Sequence, residues 1–160
     1  MNDDQWLIDR ARADDIPALV ALLTELFSIE QDFQPDPERQ ARGLAGVLAS
    51  ANGCIMVARS LQGEPIAMCS AQLVFSTAEG AYSAWIEDMV VDAAWRGRGI
   101  GRQVLEALLA WTSERGTTRA QLLADLNNQP ALDYYQHLGW QKTQLTARRL
   151  SLALDKARKS

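Results

Sequence analysis

The chain has little of the chemistry around which many small proteins are built. It holds two cysteines, Cys54 and Cys69, and one histidine, His137. Both cysteines sit in apolar runs with no C-x-x-C spacing, so they read as buried free thiols and not as a disulfide framework or a redox pair. No metal site is expected. Positive charge is not in excess either: 16 Lys and Arg stand against 20 Asp and Glu, a net charge of −4. Nucleic acid is therefore not expected as the main ligand, because a phosphate backbone calls for a basic surface. A mildly acidic surface suits a cationic amine. Long hydrophobic runs are missing, and the acidic stretch Met1 to Asp9 reads neither as a signal peptide nor as a membrane span. No membrane partner and a cytoplasmic location are the expectations. With no repeat, linker or low-complexity tract, and with 48% hydrophobic and 22% charged residues, the 160 residues are expected to form one globular domain.

What is present has a clear order. Gln5 to Ala11 reads as a short strand. Asp14-Asp15-Ile16-Pro17 is a helix start, with acids at the cap and proline in the first turn. Ile16, Leu19, Val20, Leu23, Leu26 and Phe27 then recur at helical spacing. A second helix is expected from Pro37 to Ala51. Cys54–Arg59, Ile66–Phe75 and Tyr82–Asp92 read as three strands joined by short turns, hence antiparallel neighbours. A long helix opens at Gly99 and ends at Gly116, with Ile100, Val104, Leu105, Leu108, Leu109 and Trp111 on one broad face. Arg119–Leu126 is a strand, Asn127 to Pro130 caps a short helix ending at Gly139, and Ala147–Leu154 alternates as a final half-buried strand. This order predicts a mixed α/β (α+β) sheet with one parallel βαβ unit spanning Tyr82 to Leu126.

The chemistry concentrates in Arg96-Gly97-Arg98-Gly99-Ile100-Gly101-Arg102, where a strand runs through a glycine-rich turn into a helix. Such a turn aims backbone N–H groups at one point, at the positive end of a helix dipole. The glycines permit close approach and positive φ, and Arg96, Arg98 and Arg102 supply planar cationic donors. A pyrophosphate fits. The spacing is not that of a P-loop, because no Lys-Ser/Thr follows, nor that of a dinucleotide fingerprint, because position 102 is arginine where the third glycine belongs.

The turn instead resembles the acetyl-CoA loop of the GNAT-type N-acetyltransferases, Arg/Gln-x-x-Gly-x-Gly/Ala, which Arg96, Gly99 and Gly101 match. A second segment resembles the family too. Asn128-Gln129-Pro130-Ala131-Leu132-Asp133-Tyr134-Tyr135-Gln136-His137-Leu138-Gly139-Trp140 fits its Asn-x-x-Ala-x-x-aromatic-Tyr-x-x-x-Gly-aromatic pattern at every fixed position. The family's element order matches over nearly the whole chain. The resemblance implies a GNAT-like sheet, mostly antiparallel and flanked by helices, around a parallel βαβ unit that binds acetyl-CoA. It implies transfer of an acetyl group to an amine.

The same resemblance implies roles for single residues. Met89, Val90 and Val91 would present backbone to the pantetheine arm, much as in strand addition. A bulge there, expected near Asp88 or Met89, would free an N–H to polarise the thioester. The pyrophosphate would lie on Arg96 to Arg102, with Gly97 and Ile100 inside the turn. Tyr135 would protonate the leaving thiolate, with packing as the competing role. Asn128 would either bond the arm or cap its own helix. Glu87 is favoured as the base that deprotonates the amine; Asp88 and water remain open. Adjacent strand residues face opposite sides, so at most one of the two acids faces the acceptor. Phe27, Glu30, Asp32 and Phe33, in the loop after the first helix, would cradle a cationic amine. The acceptor itself stays open between a small-molecule amine and a protein or peptide amine, and a non-catalytic acyl-CoA sensor is the alternative of another class. The resemblance also leaves a homodimer open, with the strand at Ala147–Leu154 as a contributor. His137 reads as a solvated helix position.

Overall fold

A computed structural model describes residues 5–30 and 32–152. Nothing is described for Asp3, Asp4, Gln31, Leu154 or the basic tail from Lys156. The chain divides into two compact units, residues 1–122 and 123–160.

The first unit is built on a sheet of five strands in the order β1-β2-β3-β4-β5. These are β1 (Trp6–Arg10), β2 (Gly53–Ser60), β3 (Pro65–Ser76), β4 (Ala81–Val91) and β5 (Arg119–Leu122). The first four pair antiparallel, and β5 pairs parallel to β4. Two helices lie between β1 and β2, namely α1 (Ile16–Ile29) and α2 (Pro37–Ala49). A third, α3 (Ile100–Ser113), makes the crossover from β4 to β5, since parallel neighbours need a long return.

The eight residues of β2 are all buried. That is why Cys54–Arg59 reads as a continuous apolar run and not as an alternation: the strand is covered on both faces. On one face Ile55, Val57, Met68 and Val90 meet Leu19, Leu22 and Leu23 of α1 and Leu44 of α2. α3 packs on β2, β3 and β4 and buries Ile100, Val104, Leu105, Leu108 and Trp111. Each such side chain removed from water contributes about 1.5–3 kcal/mol.

One buried ionic cluster ties the start of the chain to the sheet. Arg59 grips Asp15 with two bonds of 2.6 Å, and its Nε donates to Asp9 at 2.7 Å. Asp15 also accepts from the Arg12 backbone N–H at 2.7 Å. The Arg59 guanidinium, followed by these backbone donors and charges, holds the Asp15 carboxyl below its ordinary value of 3.8.

The second unit contains α4 (Gln129–His137). Asn128 caps it, accepting from the Ala131 N–H at 3.3 Å. His137 is exposed, as expected. Tyr135 lies edge-on to Tyr134 at 5.5 Å and to Trp140 at 5.9 Å.

Two expected strands change. β5 stops at Leu122, not Leu126. The strand expected at Ala147–Leu154 is not formed in residues 147–152, and 153–154 lie outside the described residues. Leu150 and Leu152 are 84% and 87% exposed. Alternation marks a segment fit for a half-buried sheet, but a strand exists only where a neighbour accepts its ladder. Residues 147–152 have no such neighbour among the described residues.

Candidate active site

β4 carries the centre of the site. Its register against β3 slips by one residue: Met68 faces Val90, but Ser70 faces Glu87. Cys69 therefore stands opposite the pair Asp88 and Met89. This is a β-bulge, at the position the family resemblance implied. Asp88 is the only non-glycine residue with positive φ among the described residues, at +57°. Left-handed backbone is uncommon outside glycine, and Asp and Asn tolerate it best. The Glu87 carbonyl is drawn back toward β3, accepting from Ser70 Oγ at 3.1 Å and from Cys69 Sγ at 3.6 Å.

β5 matches β4 only from Ser83 to Ile86. Beyond Ile86 the outer edge of β4 has no strand partner among the described residues. The Asp92 N–H donates inward to Ile66 at 2.8 Å, so by the two-residue period of a strand Val91 and Met89 turn their backbone groups outward. The Val91 carbonyl confirms this, for it accepts from the Arg96 Nε at 3.0 Å. Backbone donors and acceptors are thus presented along an open edge, directly before the glycine turn.

In the turn, Gly97 and Gly99 both have φ of +78°. Gly99 is the N-cap of α3 and offers no side-chain cap. The first ladder bond of the helix is Gln103 N–H to the Gly99 carbonyl, so Ile100 and Gly101 lie ahead of the ladder with their amides at the positive end of the dipole. A Cβ placed on Gly97 or Gly99 would meet nothing within 4 Å. The turn is an open cradle, as approach by a pyrophosphate requires. The arginines are held in distinct ways. Arg96 reaches Glu25 of α1 at 2.7 Å. The Arg98 guanidinium lies 5.0 Å over the Trp95 ring, and Arg102 pairs with Glu106 at 2.7 Å.

Acids converge on the bulge. Asp88 is half-buried, and its carboxyl is pushed up from 3.8 to about 6, first by burial and then by the nearby charges of Glu87 and Glu30. A hydrogen bond with Ser70 opposes part of that rise. Glu87 is exposed. The structure thus brings Glu30, expected on the acceptor side, into the field of Asp88. Phe27 and Phe33 touch, with ring centroids 5.3 Å apart, and Phe27 also packs against the core. Asp32 is exposed and is not among the charges acting on Asp88. Two contributors were missed in the sequence. Ser70 had no signal, since it is a small polar residue inside an apolar strand. Glu25 had none beyond being a polar position on α1.

A bulged strand with an outer edge unpartnered beyond Ile86 thus leads into an open glycine turn at the head of the next helix. The chain belongs to the acetyltransferase (GNAT) family, whose profile matches residues 16–140. It is similar to the aminoglycoside N(6')-acetyltransferase type 1 of Stenotrophomonas maltophilia, 31% identical over 85 residues, which are 51% of this chain and 56% of that protein. The chain spans about half or less of the length of the curated relatives it matches. Solved structures share the fold over nearly all of it. An aminoglycoside acetyltransferase from an uncultured soil metagenomic sample, solved with trehalose, has a TM-score of 0.76 at 22% identity, covering 96% of this chain and 100% of that one. A possible acetyltransferase from Clostridium difficile 630 has a TM-score of 0.82 at 16% identity, covering 93% and 99%. No helix of the described residues is long and apolar enough to cross a membrane.

Proposed function

We propose that the chain transfers an acetyl group from acetyl-CoA to a primary amine of a small molecule that carries several cationic amines, of the amino-sugar kind. The observation that carries this reading is the bulge at Asp88: an acid poised near neutrality, on an open strand edge that runs into a pyrophosphate cradle. The residues fit the cofactor. The amides of Ile100 and Gly101 and the side chain of Arg96 would hold the pyrophosphate, and the outward backbone of Met89 and Val91 would hold the arm. The thioester supplies an activated acyl carbon.

An ammonium must lose one proton before it can attack and a second as the amide forms, and the thiolate must gain one. Asp88 would accept the first, freeing the nitrogen lone pair; as the C–N bond forms and the C–S bond breaks, the second would leave to solvent. Glu87, the acid favoured on sequence grounds, is exposed, whereas Asp88 is half-buried with its carboxyl pushed up to about 6, which suits a proton acceptor near pH 7. For the proton to sulfur the family resemblance offers Tyr135, which lies in the second unit. Glu30, Glu87 and Asp88 give the acceptor side a negative field that attracts a multiply charged cation. The likeness to aminoglycoside acetyltransferases points the same way.

The test is a panel of acceptors with acetyl-CoA, following free thiol: aminoglycosides, polyamines, amino acids and peptides. Aminoglycosides and polyamines should release thiol, and Gly99→Glu, which fills the cradle at a positive φ and adds charge against the phosphates, should not. Release with peptides alone would make the chain a protein acetyltransferase. Binding of acetyl-CoA with no acceptor turned over would make it a sensor.

A further inference from the structure

Arg96 does more than lie in the turn. Its Nε donates to the Val91 carbonyl at 3.0 Å and its Nη2 to Glu25 Oε1 at 2.7 Å. A planar guanidinium gripped at two points by different elements has its plane and direction set, and Arg has five N–H groups in all, so donors remain for an anion. Both grips are firm. Val91 ends β4, and Glu25 sits on α1 between Leu22, which is buried in the core, and Leu26, which packs against it.

The ion pair is half-exposed, at 47% and 31% of the two side chains. Pairs of that exposure contribute little to folding, because solvent screens them and the side chains resist ordering. Its effect is instead on where the guanidinium points. A loose arginine on a surface turn must be ordered when an anion binds, and that ordering weakens binding. An arginine already fixed by Glu25 and Val91 has met that cost before the ligand arrives.

We propose that Glu25 is a positioning residue: from α1 it holds Arg96 in the orientation that receives the pyrophosphate of acetyl-CoA, an inference that rests on the reading of the glycine turn given above. The Glu25 carboxylate also repels phosphate, so the two effects oppose each other. Repulsion is blunted by the paired guanidinium and by salt, with a Debye length of about 8 Å at physiological ionic strength. Orientation acts at contact and is not screened. The net effect of Glu25 is to tighten binding.

Dissociation constants of acetyl-CoA and of S-acetylpantetheine, which lacks the pyrophosphate, are compared for wild type, Glu25→Ala, Glu25→Asp, Arg96→Ala and the double alanine variant. Glu25→Ala should weaken acetyl-CoA about three- to tenfold, the range for ordering one flexible side chain, and leave S-acetylpantetheine unchanged. The aspartate variant should recover part of the loss. The double variant should bind no worse than Arg96→Ala, because Glu25 acts only through that arginine. If Glu25→Ala binds acetyl-CoA as well as or better than wild type while Arg96→Ala is weakened, the role of Glu25 is wrong and the turn assignment stands. An equal loss for both ligands would mean that α1 itself is damaged and would also overturn the proposal. If Arg96→Ala binds like wild type, the reading of the turn fails and the proposal with it.

Discussion

Replacing Asp88 by asparagine should make the protein both slower and more stable. The residue is held near a pKa of about 6, where its ordinary value is 3.8. At about 1.4 kcal/mol per tenfold in an equilibrium constant, that difference corresponds to about 3 kcal/mol. The sign follows from proton linkage. The folded chain binds this proton more tightly than the unfolded chain, so stability falls as pH rises from about 4 to about 6, and the full loss persists at pH 7. Asparagine keeps the shape, tolerates the left-handed backbone and carries no charge to repel Glu87 and Glu30. Asp88→Asn should therefore raise the unfolding free energy at pH 7 by up to about 3 kcal/mol and by close to nothing at pH 4. The same change deletes the proposed proton acceptor, and loss of such a group typically lowers turnover by about 10²–10⁴-fold. Wild-type kcat/KM should rise with pH through about 6 as Asp88 ionises, and the variant should lack that limb. Urea unfolding at the two pH values and a pH–rate profile read the two halves independently. A variant that turns over like wild type, with the same acid limb, while Glu87→Gln loses it, would return the role to Glu87. If neither variant alters the profile, water is the base.

Tyr135→Phe should leave acetyl-CoA affinity within a few-fold and lower turnover at least about tenfold where chemistry is limiting; the loss should shrink with an acyl donor whose thiol is more acidic, and an unchanged chemical step would return Tyr135 to packing. Asp15→Ala leaves the Arg59 guanidinium buried with only the partly exposed Asp9 as its acidic partner, so denaturant unfolding at pH 7 should show a loss of about 3 kcal/mol, near the low end for a broken buried pair. Because the Asp15 carboxyl is held down, its contribution is present above about pH 4 and is lost as pH falls through its folded value, so wild type should destabilise with acid more steeply than the alanine variant. Parallel pH curves for the two proteins would contradict this role.

The parts of the fold that could be read from the sequence are those written locally. The apolar periods of α1 and α3, the glycines at 99 and 116, and the turn at Gly63 each act over a few residues, and the elements they bound are found where expected. The register between strands is not local. Nothing in Glu87-Asp88-Met89 reports that Cys69 will face two residues, and a one-residue slip decides which acid is sheltered and which is exposed. Long-range polar pairs are equally silent: Glu25 with Arg96, and Arg59 with Asp15, lie 71 and 44 positions apart. The alternation at Leu150 and Leu152 shows the reverse failure. A pattern suited to a strand says nothing about whether a neighbour will pair with it.

The open edge of β4 also bears on how this protein behaves in a tube. Beyond Ile86 the outer side of the strand has no strand partner among the described residues, and such an edge is a template on which a foreign strand can add. Unliganded protein held at high concentration should associate along it slowly and irreversibly. A ligand arm lying on the edge blocks that template as a capping strand would. Storage with CoA should then preserve monodispersity well beyond what the added folding stability alone explains, and the amide of Val91 should become slow to exchange with solvent deuterium when CoA is bound.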